Sequence, residues 1–209
     1  MKTLSIIPVK STAISKSRLA NQLGPQAREA LVFSLLLKTI RTLKACLNPK
    51  DILIVSLDPD VERLAKLESL SFLKEIGSGL NSALHQATIW AAHHGFEAIL
   101  ISPLDLPFLS PGDIQAIIGL GDEERTMVIA PDRTYYGTNI LLLNPPTDFR
   151  FCFGQGSYKR HLKQSESCRL KQKVFYSFGT YFDLDDYDAY QVWMEDQNKL
   201  IKTDDSLLE

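Results

Sequence analysis

Three aspartates stand where apolar segments end, and together they have the composition of a magnesium site. Asp105 follows the run Ala98 to Ser102 in "AILISPLDLPFL", and Asp183 and Asp185 lie in "YFDLDDYDAY". The run before Asp105 is short, uncharged and rich in β-branched residues, which predicts a buried strand. A strand predicted near Tyr181 to Leu184 would turn Asp183 and Asp185 to one side, because alternate strand residues share a face. Carboxylate oxygens are ligands that Mg²⁺ prefers, often beside substrate phosphates.

Each aspartate also has a purely structural alternative. Asp105 could cap the turn that begins at Leu106-Pro107. Asp183 or Asp185 could be the N-cap of a helix predicted from Asp186 onward, a role that Asp186 itself could fill. These alternatives stay open on the residues alone.

A basic loop follows the first predicted strand, which runs from Leu4 to Val9. The loop "KSTAISKSRL" carries Lys10, Lys16 and Arg18 among small hydroxyl residues. Cations and hydrogen-bond donors at a strand end suit a triphosphate. Taken alone, the loop fits a solvated basic surface better. The phosphate-binding pattern GxxxxGK[ST] is absent, which excludes an ordinary P-loop.

Three further motifs offer polar groups to a ligand. In "APDRTYYGTNILLL", Gly137 would let a ligand approach the backbone and Thr138 offers a hydroxyl, while Asp132 and Arg133 could pair with each other. "FCFGQGSYKRHL" has Gly154, Gly156 and Ser157 before a predicted helix, whose free N–H groups and dipole favour an anion. Ser157 could equally be only an N-cap. In "SGLNSAL", Asn81 could recognise a base edge or simply cap a helix.

Strand and helix signals alternate along the chain, which predicts an α/β fold with a mainly parallel sheet and helices on both faces. Helices are predicted over Pro25 to Leu47, from Pro59, over Leu80 to His94, over Pro111 to Leu120 behind a Ser110 N-cap, around Ser157 to Gln164 and from Asp186. Strands are also predicted at Ile52 to Leu57, Met127 to Ala130, Ile140 to Leu143 and Val174 to Phe178. Ligands of such sheets bind at the carboxyl ends of the strands, where Asp105 is expected.

Composition excludes several classes of function. The 209 residues are 44% hydrophobic and 23% charged, with a formal charge of −2, which gives no reason to expect nucleic acid. No apolar stretch approaches the roughly 20 residues of a membrane span, and the start of the chain does not resemble a signal peptide. Three widely spaced cysteines suggest neither a disulfide framework nor a zinc site, so a cytoplasmic protein is expected.

Taken in order, the motifs resemble one family. The basic loop, "GLNSAL", "PLDLPFL", "APDR…GTN", "FGQGS" and the late "DLD" are similar to the guanylyltransferases of deazaflavin coenzyme (F-420) biosynthesis. The family uses 2-phospho-L-lactate, phosphoenolpyruvate or a phosphoglycerate. The resemblance implies a single-domain, Rossmann-like mixed sheet of the glycosyltransferase-A nucleotidyltransferase type over residues 1–200. Residues 201–209 are expected to be a disordered tail.

The resemblance also implies a reaction and a set of site residues. GMP would pass from GTP to phosphoenolpyruvate or 2-phospho-L-lactate with release of pyrophosphate. Asp105, Asp183 and Asp185 would bind Mg²⁺, and Thr138, Gly154 and Ser157 would hold the acid. Lys10, Lys16, Arg18 and Asn81 would bind the nucleotide, and catalysis is expected from Asp105, Lys16 and Arg18.

Two departures and two alternatives accompany this interpretation. Thr134, Tyr135 and Tyr136 stand where relatives have smaller loops, so acceptor choice could differ, and the late segment lacks a Thr-Pro after the acidic pair. The alternatives are a sugar-phosphate or molybdopterin nucleotidyltransferase, which has a Gly-rich first loop, and a catalytically silent nucleotide-binding module. A homodimer is a further expectation, with no residue that argues for it.

Overall fold

The computed structural model describes residues 1–10, 19–77, 79–146 and 148–205, and for 198–205 only the backbone. Lys16 and Arg18 therefore lie outside the described residues. Within those ranges, no helix is long and apolar enough to cross a membrane.

Seven strands and seven α-helices lie along the described residues, mostly in alternation. The strands are β1 (Thr3–Pro8), β2 (Ile52–Ser56), β3 (Ser71–Lys74), β4 (Ala98–Ile101), β5 (Thr126–Pro131), β6 (Thr138–Asn144) and β7 (Lys171–Val174). The helices are α1 (Pro25–Lys44), α2 (Pro59–Leu67), α3 (Leu80–His93), α4 (Pro111–Leu120), α5 (Ser157–Ser167), α6 (Phe178–Tyr181) and α7 (Tyr187–Asp205). The predicted α/β class is confirmed.

All seven strands form one mixed sheet in the order β3-β2-β1-β4-β6-β5-β7. Strands β3, β2, β1 and β4 are parallel, and β6 runs antiparallel to both β4 and β5. Because β6 is reversed, its first residue, Thr138, lies at the edge of the sheet where β4 ends. The loop that carries Asp105 leaves from the same edge, so the topology brings these two segments together.

Each face of the sheet is covered by helices, because alternate residues of the strands are apolar on both sides. In β1, Ile6 packs on the face covered by α3 and Ile7 on the face covered by α1 and α4. A smaller cluster joins Leu31 and Leu35 of α1 to Leu184 and to Trp193 of α7. This third cluster fixes the segment that carries Asp183 and Asp185.

The structure corrects the predicted secondary structure between residues 171 and 186. The strand expected near Val174 to Phe178 lies earlier in the chain, as β7, and ends at Val174. The residues from Tyr181 onward, also expected to form a strand, instead follow the helical turn α6, which ends at Tyr181. Ser177 caps that turn, since its hydroxyl accepts from the Thr180 N–H and the Thr180 hydroxyl accepts from the Ser177 N–H. Residues 182–185 belong to no strand. The edge strand β3 was not predicted, because its short sequence "SFLK" carries no clear apolar pattern.

The C-terminal helix α7 continues to Asp205, past the predicted domain limit at residue 200. Residues 206–209 lie outside the described residues, so a disordered end stays a prediction.

Candidate active site

Asp105 and the pair Asp183 and Asp185 meet through a backbone hydrogen bond and a buried leucine. The Leu184 N–H donates to the Asp105 carbonyl oxygen at 2.8 Å. Leu184 is fully buried in the cluster with α1 and α7, so it anchors the two flanking aspartates. The strand that would turn Asp183 and Asp185 to one side is absent; the two residues instead flank the buried Leu184.

The electrostatics of Asp183 show that these carboxylates interact. Burial, followed by the charges of Asp185 and Asp105, raises the pKa of Asp183 to about 6 from an ordinary value of 3.8. Two of the three causes that raise this pKa are therefore the other predicted metal ligands. The three carboxylates are therefore near enough for the charges of Asp105 and Asp185 to act on Asp183.

The oxygen ligands of this cluster fit Mg²⁺ that is bound partly by the protein and partly by substrate phosphates and water. All three side chains offer only hard oxygen ligands, and their mutual repulsion would be relieved by a cation. Among the described residues, however, no three His, Cys, Asp or Glu side chains form a ready-made metal cage. Mg²⁺ typically binds one or two carboxylates and takes its other ligands from substrate phosphates and water.

A second group of polar side chains, all buried, lies between β6 and α5. The Thr138 Oγ1 is 3.0 Å from the His161 Nδ1 and accepts a hydrogen bond from the Ser157 hydroxyl at 3.2 Å. The Cys152 N–H donates to the His161 Nε2 at 2.9 Å. Burial, followed by the charge of Arg160, lowers the pKa of His161 to about 4, so the ring is neutral near pH 7.

The loop before α5 has a geometry that requires glycine. Gly154 and Gly156 have φ values of +114° and +67°, which side-chain-bearing residues rarely adopt. The prediction of free N–H groups at this helix start needs correction: the Ser157 N–H donates to the Gly154 carbonyl and the Tyr158 N–H to the Tyr136 carbonyl. Hydroxyl groups and nearby cations, rather than these amides, must then provide much of any anion binding.

The loop between β5 and β6 is organised by Asp132. Its carboxylate accepts from the backbone N–H groups of Thr134, Tyr136 and Gly137 at 2.7–3.0 Å. Burial acts to raise the pKa of Asp132, but these hydrogen bonds outweigh it and the pKa is lowered. The suggested Asp132–Arg133 pair does not form; Arg133 lies 3.7 Å from the Asp186 carboxylate instead.

Asn81, predicted to contact the nucleotide, binds the loop before α5 in this structure. Its side-chain NH₂ donates to the Phe153 carbonyl at 3.3 Å, and its Oδ1 accepts from the Phe153 N–H at 2.8 Å. Of the predicted phosphate-binding cations, Lys10 is exposed just after β1. Lys16 and Arg18 fall outside the described residues.

Sequence reasoning missed two residues of this region. His161, which the sequence motifs do not assign to the site, is fully buried against Thr138. The Arg160 guanidinium lies beside Gly154, 3.7 Å from where a Cβ of that residue would stand. The only available signal was that His161 comes one helical turn after Ser157, on the same face of α5.

The whole fold is that of a nucleotidyltransferase. A nucleotidyl transferase from Methanothermobacter thermautotrophicus superposes with a TM-score of 0.68 at 12% identity, covering 97% of this chain and 99% of its own. A cytidylyltransferase from Leptospira borgpetersenii gives a TM-score of 0.63 at 12% identity, covering 99% and 96%. Identities this low establish the fold alone.

The family follows from the sequence comparisons. A family model described as "Guanylyl transferase CofC like" matches residues 3–202. Phosphoenolpyruvate guanylyltransferases from Rubrobacter xylanophilus and Sphaerobacter thermophilus are each 35% identical over 185 residues, which is 88% of this chain and 90% and 89% of theirs. A 2-phospho-L-lactate guanylyltransferase from Methanothermobacter thermautotrophicus is 32% identical, covering 88% and 80%. The chain belongs to the CofC-like guanylyl transferase family, and the resemblance is confirmed.

Proposed function

We propose that this protein transfers GMP from GTP to phosphoenolpyruvate or 2-phospho-L-lactate and releases pyrophosphate, as a step of coenzyme F-420 biosynthesis. The observation that carries the proposal is the meeting of Asp105, Asp183 and Asp185 at the edge of the sheet where Thr138 begins β6. Relatives of both names cover most of the chain, so both acids are candidate acceptors. Phosphoenolpyruvate is the first to test, because the two 35% relatives carry its name.

The chemistry requires positioning and charge neutralisation rather than proton transfer. An oxygen of the acceptor phosphate forms a bond to the α-phosphorus of GTP. The bond between the α-phosphorus and the oxygen that bridges it to the β-phosphorus breaks, and pyrophosphate leaves with that oxygen. The acceptor is already ionised near neutral pH, so no general base is needed. Orientation and electrostatic stabilisation then supply the acceleration.

In this proposal the aspartates face the nucleotide and the β6–α5 region faces the acid. Asp105, Asp183 and Asp185 would hold Mg²⁺, which neutralises phosphate charge when it is bound. Thr138, Gly154 and Ser157 would hold the acid. The remaining assignments are predictions from family position: Lys10, Lys16 and Arg18 for the GTP phosphates and Asn81 for guanine.

We further propose that the protein is one domain over residues 1–200, is cytoplasmic, forms a homodimer and has no nucleic-acid partner. These assignments come from sequence reasoning and the family resemblance. Sedimentation of the purified protein would decide the oligomeric state.

The direct test is pyrophosphate release from GTP and Mg²⁺, with phosphoenolpyruvate, 2-phospho-L-lactate and 3-phospho-D-glycerate offered in parallel. We expect release with one or two acids, no release with ATP, and loss of at least about 100-fold in kcat for Asp105→Asn, since a transition-state charge contact is removed. Asp188→Asn, an exposed acid in the same region, is the matched control. Near-normal turnover by Asp105→Asn would refute the metal assignment. GTP binding without pyrophosphate release from any acid would favour the silent-module alternative.

A further inference from the structure

The hydrogen bonds around His161 determine which of its ring nitrogens carries the proton. A backbone N–H can only donate, so the Cys152 N–H requires the His161 Nε2 to accept. A neutral imidazole then has its proton on Nδ1, and the Nδ1–H donates to the Thr138 Oγ1 at 3.0 Å. His161 is fully buried, so solvent does not compete for either bond.

This tautomer fixes the polarity of the Thr138 hydroxyl. The Thr138 oxygen receives hydrogen bonds from both His161 and Ser157, which leaves its own proton for a third group. Over the described ranges, no side chain or carbonyl takes that proton in this arrangement. The opposite tautomer would make Nδ1 an acceptor and would consume the Thr138 proton inside the protein.

We infer that His161 is a positioning residue that holds the Thr138 hydroxyl as a donor to the anionic acceptor. The inference rests on the proposed function, because it assigns the acceptor to the Thr138 side of the site. It also divides the work between the hydroxyl groups. The Ser157 hydroxyl donates its hydrogen bond to Thr138, and the Thr138 hydroxyl makes the direct hydrogen bond to the acid.

Two substitutions of His161 separate this role from simple packing. In His161→Asn, the side-chain amide nitrogen can occupy the place of Nδ1 and still donate to Thr138. In His161→Gln, the longer amide reaches the place of Nε2 and can accept from the Cys152 N–H, but no group at the place of Nδ1 donates to Thr138, which then receives only the Ser157 hydroxyl. Both side chains are neutral and polar, so each is the control for the other.

We expect His161→Gln to raise the KM for the acid about tenfold, as loss of a hydrogen bond to a charged group does, while the KM for GTP changes less than about twofold. His161→Asn should keep the KM for the acid close to the wild-type value. A purely structural role predicts equal effects, or a worse effect of His161→Asn, because that variant leaves the Cys152 N–H without its partner. Either of those results would overturn the inference.

A Thr138→Val background completes the cycle. His161→Gln should have no further effect on the KM for the acid when the Thr138 hydroxyl is absent, since the two residues would act through one contact. A tenfold effect that persists in this background would show that His161 acts by another route. Melting temperatures of the four proteins of the cycle (wild type, His161→Gln, Thr138→Val and the double variant) establish that each variant is folded.

Two measurements keep the inference distinct from the proposed function. If the wild-type protein releases no pyrophosphate with any acid, the proposed function fails. The inference is then decided by calorimetric binding of phosphoenolpyruvate to the wild type and to His161→Gln, where equal affinities overturn it. The ¹⁵N chemical shifts of the His161 ring report the protonated nitrogen without any substrate. A proton on Nε2 also overturns it.

Discussion

At the scale of single residues, Asp183 carries a charge that its surroundings oppose. It is partly buried, and two other carboxylates raise its pKa to about 6. Because the pKa of Asp183 is higher in the folded than in the unfolded protein, its ionised form destabilises the fold. The contribution of the protonated Asp183 to the free energy of unfolding is complete below the unfolded pKa and is lost as the pH rises through about 6. The fold therefore maintains an acidic cluster at the expense of its own stability, as functional sites commonly do.

Replacing Asp183 should accordingly stabilise the protein without metal. We expect Asp183→Asn to raise the free energy of unfolding at pH 7.5 in EDTA by about 1 kcal/mol, a value reduced for partial exposure, and the melting temperature by about 2–4 °C. The increase in melting temperature on adding Mg²⁺ and GTP should shrink. Thermal unfolding with and without EDTA measures both, with Asp188→Asn as control. A variant less stable than wild type in EDTA would contradict the repulsion argument.

His161 predicts a pH dependence of the opposite kind. Its pKa is about 4 in the folded protein against an ordinary 6.5. Between these two pH values His161 is protonated in the unfolded chain and neutral in the folded protein. Stability from this residue is complete above pH 6.5 and is lost as the pH falls toward 4, by about 2–3 kcal/mol in total. Urea unfolding of wild type and His161→Asn should show their stability difference shrinking over that interval. A difference independent of pH would contradict the assigned burial of a neutral ring.

At the scale of elements, the start of α5 is positioned by segments remote in sequence. Asn81, at the start of α3, holds the Phe153 backbone by two hydrogen bonds. Tyr136, from the β5–β6 loop, accepts from the Tyr158 N–H, and that loop is itself organised by Asp132. The loop that we propose to bind the acid is thus held from two sides, one of which is the predicted nucleotide side.

The variant Asn81→Ala tests which of two roles this residue has. If the hydrogen bonds to Phe153 position the loop, the KM for the acid should rise about three- to tenfold, since two hydrogen bonds are lost at an exposed site. The preference for GTP over ATP should remain. Steady-state kinetics with both nucleotides measures these effects. A loss of nucleotide preference with an unchanged KM for the acid would support guanine recognition instead.

At the scale of the whole molecule, the site exists because distant segments converge on one edge of the sheet. The reversed strand β6 brings Thr138 beside the end of β4, and the turn α6 leads the chain back to Asp105. Gly179 of α6 lies so close to the loop after β4 that a Cβ would stand 2.6 Å from both the Phe108 carbonyl oxygen and the Asp113 carboxylate. The Asp113 carboxylate is already bound in the capping box with Ser110.

Adding a methyl group at Gly179 should therefore displace the segment that carries two of the aspartates. We expect Gly179→Ala to lower the free energy of unfolding by about 1–3 kcal/mol and to reduce activity more than stability alone explains, because backbone atoms cannot move aside. Gly119→Ala is the matched control, since nothing lies within 4 Å of its added Cβ and alanine favours its helix. Thermal unfolding and Mg²⁺-dependent activity are the measurements. Equal behaviour of the two variants would contradict this account.

Local patterns in the sequence were sufficient for much of the protein. The apolar runs of β1 and β4, the long amphipathic α1 and the Ser110 cap follow from short-range periodicity and capping chemistry, and the structure confirms each. Asp186 caps α7 as suggested, accepting from the Ala189 N–H. The order of the motifs was enough to identify the family. Each of the structural features, and each single motif, depends on residues within a few positions of one another.

Only the tertiary structure decided how the site residues are held. The aspartates meet through a hydrogen bond between the Leu184 N–H and the Asp105 carbonyl, and the loop before α5 is bound to Asn81. His161 contacts Thr138 across 23 residues of sequence. No local pattern encodes such bonds, because they form only after the reversed β6 and the buried Leu184 have fixed the paths of the chain. The turn α6 shows the same rule. It joins the positions where one predicted strand should end and the next should begin, and its capping box and its packing against the loop after β4 outweigh local strand propensity there.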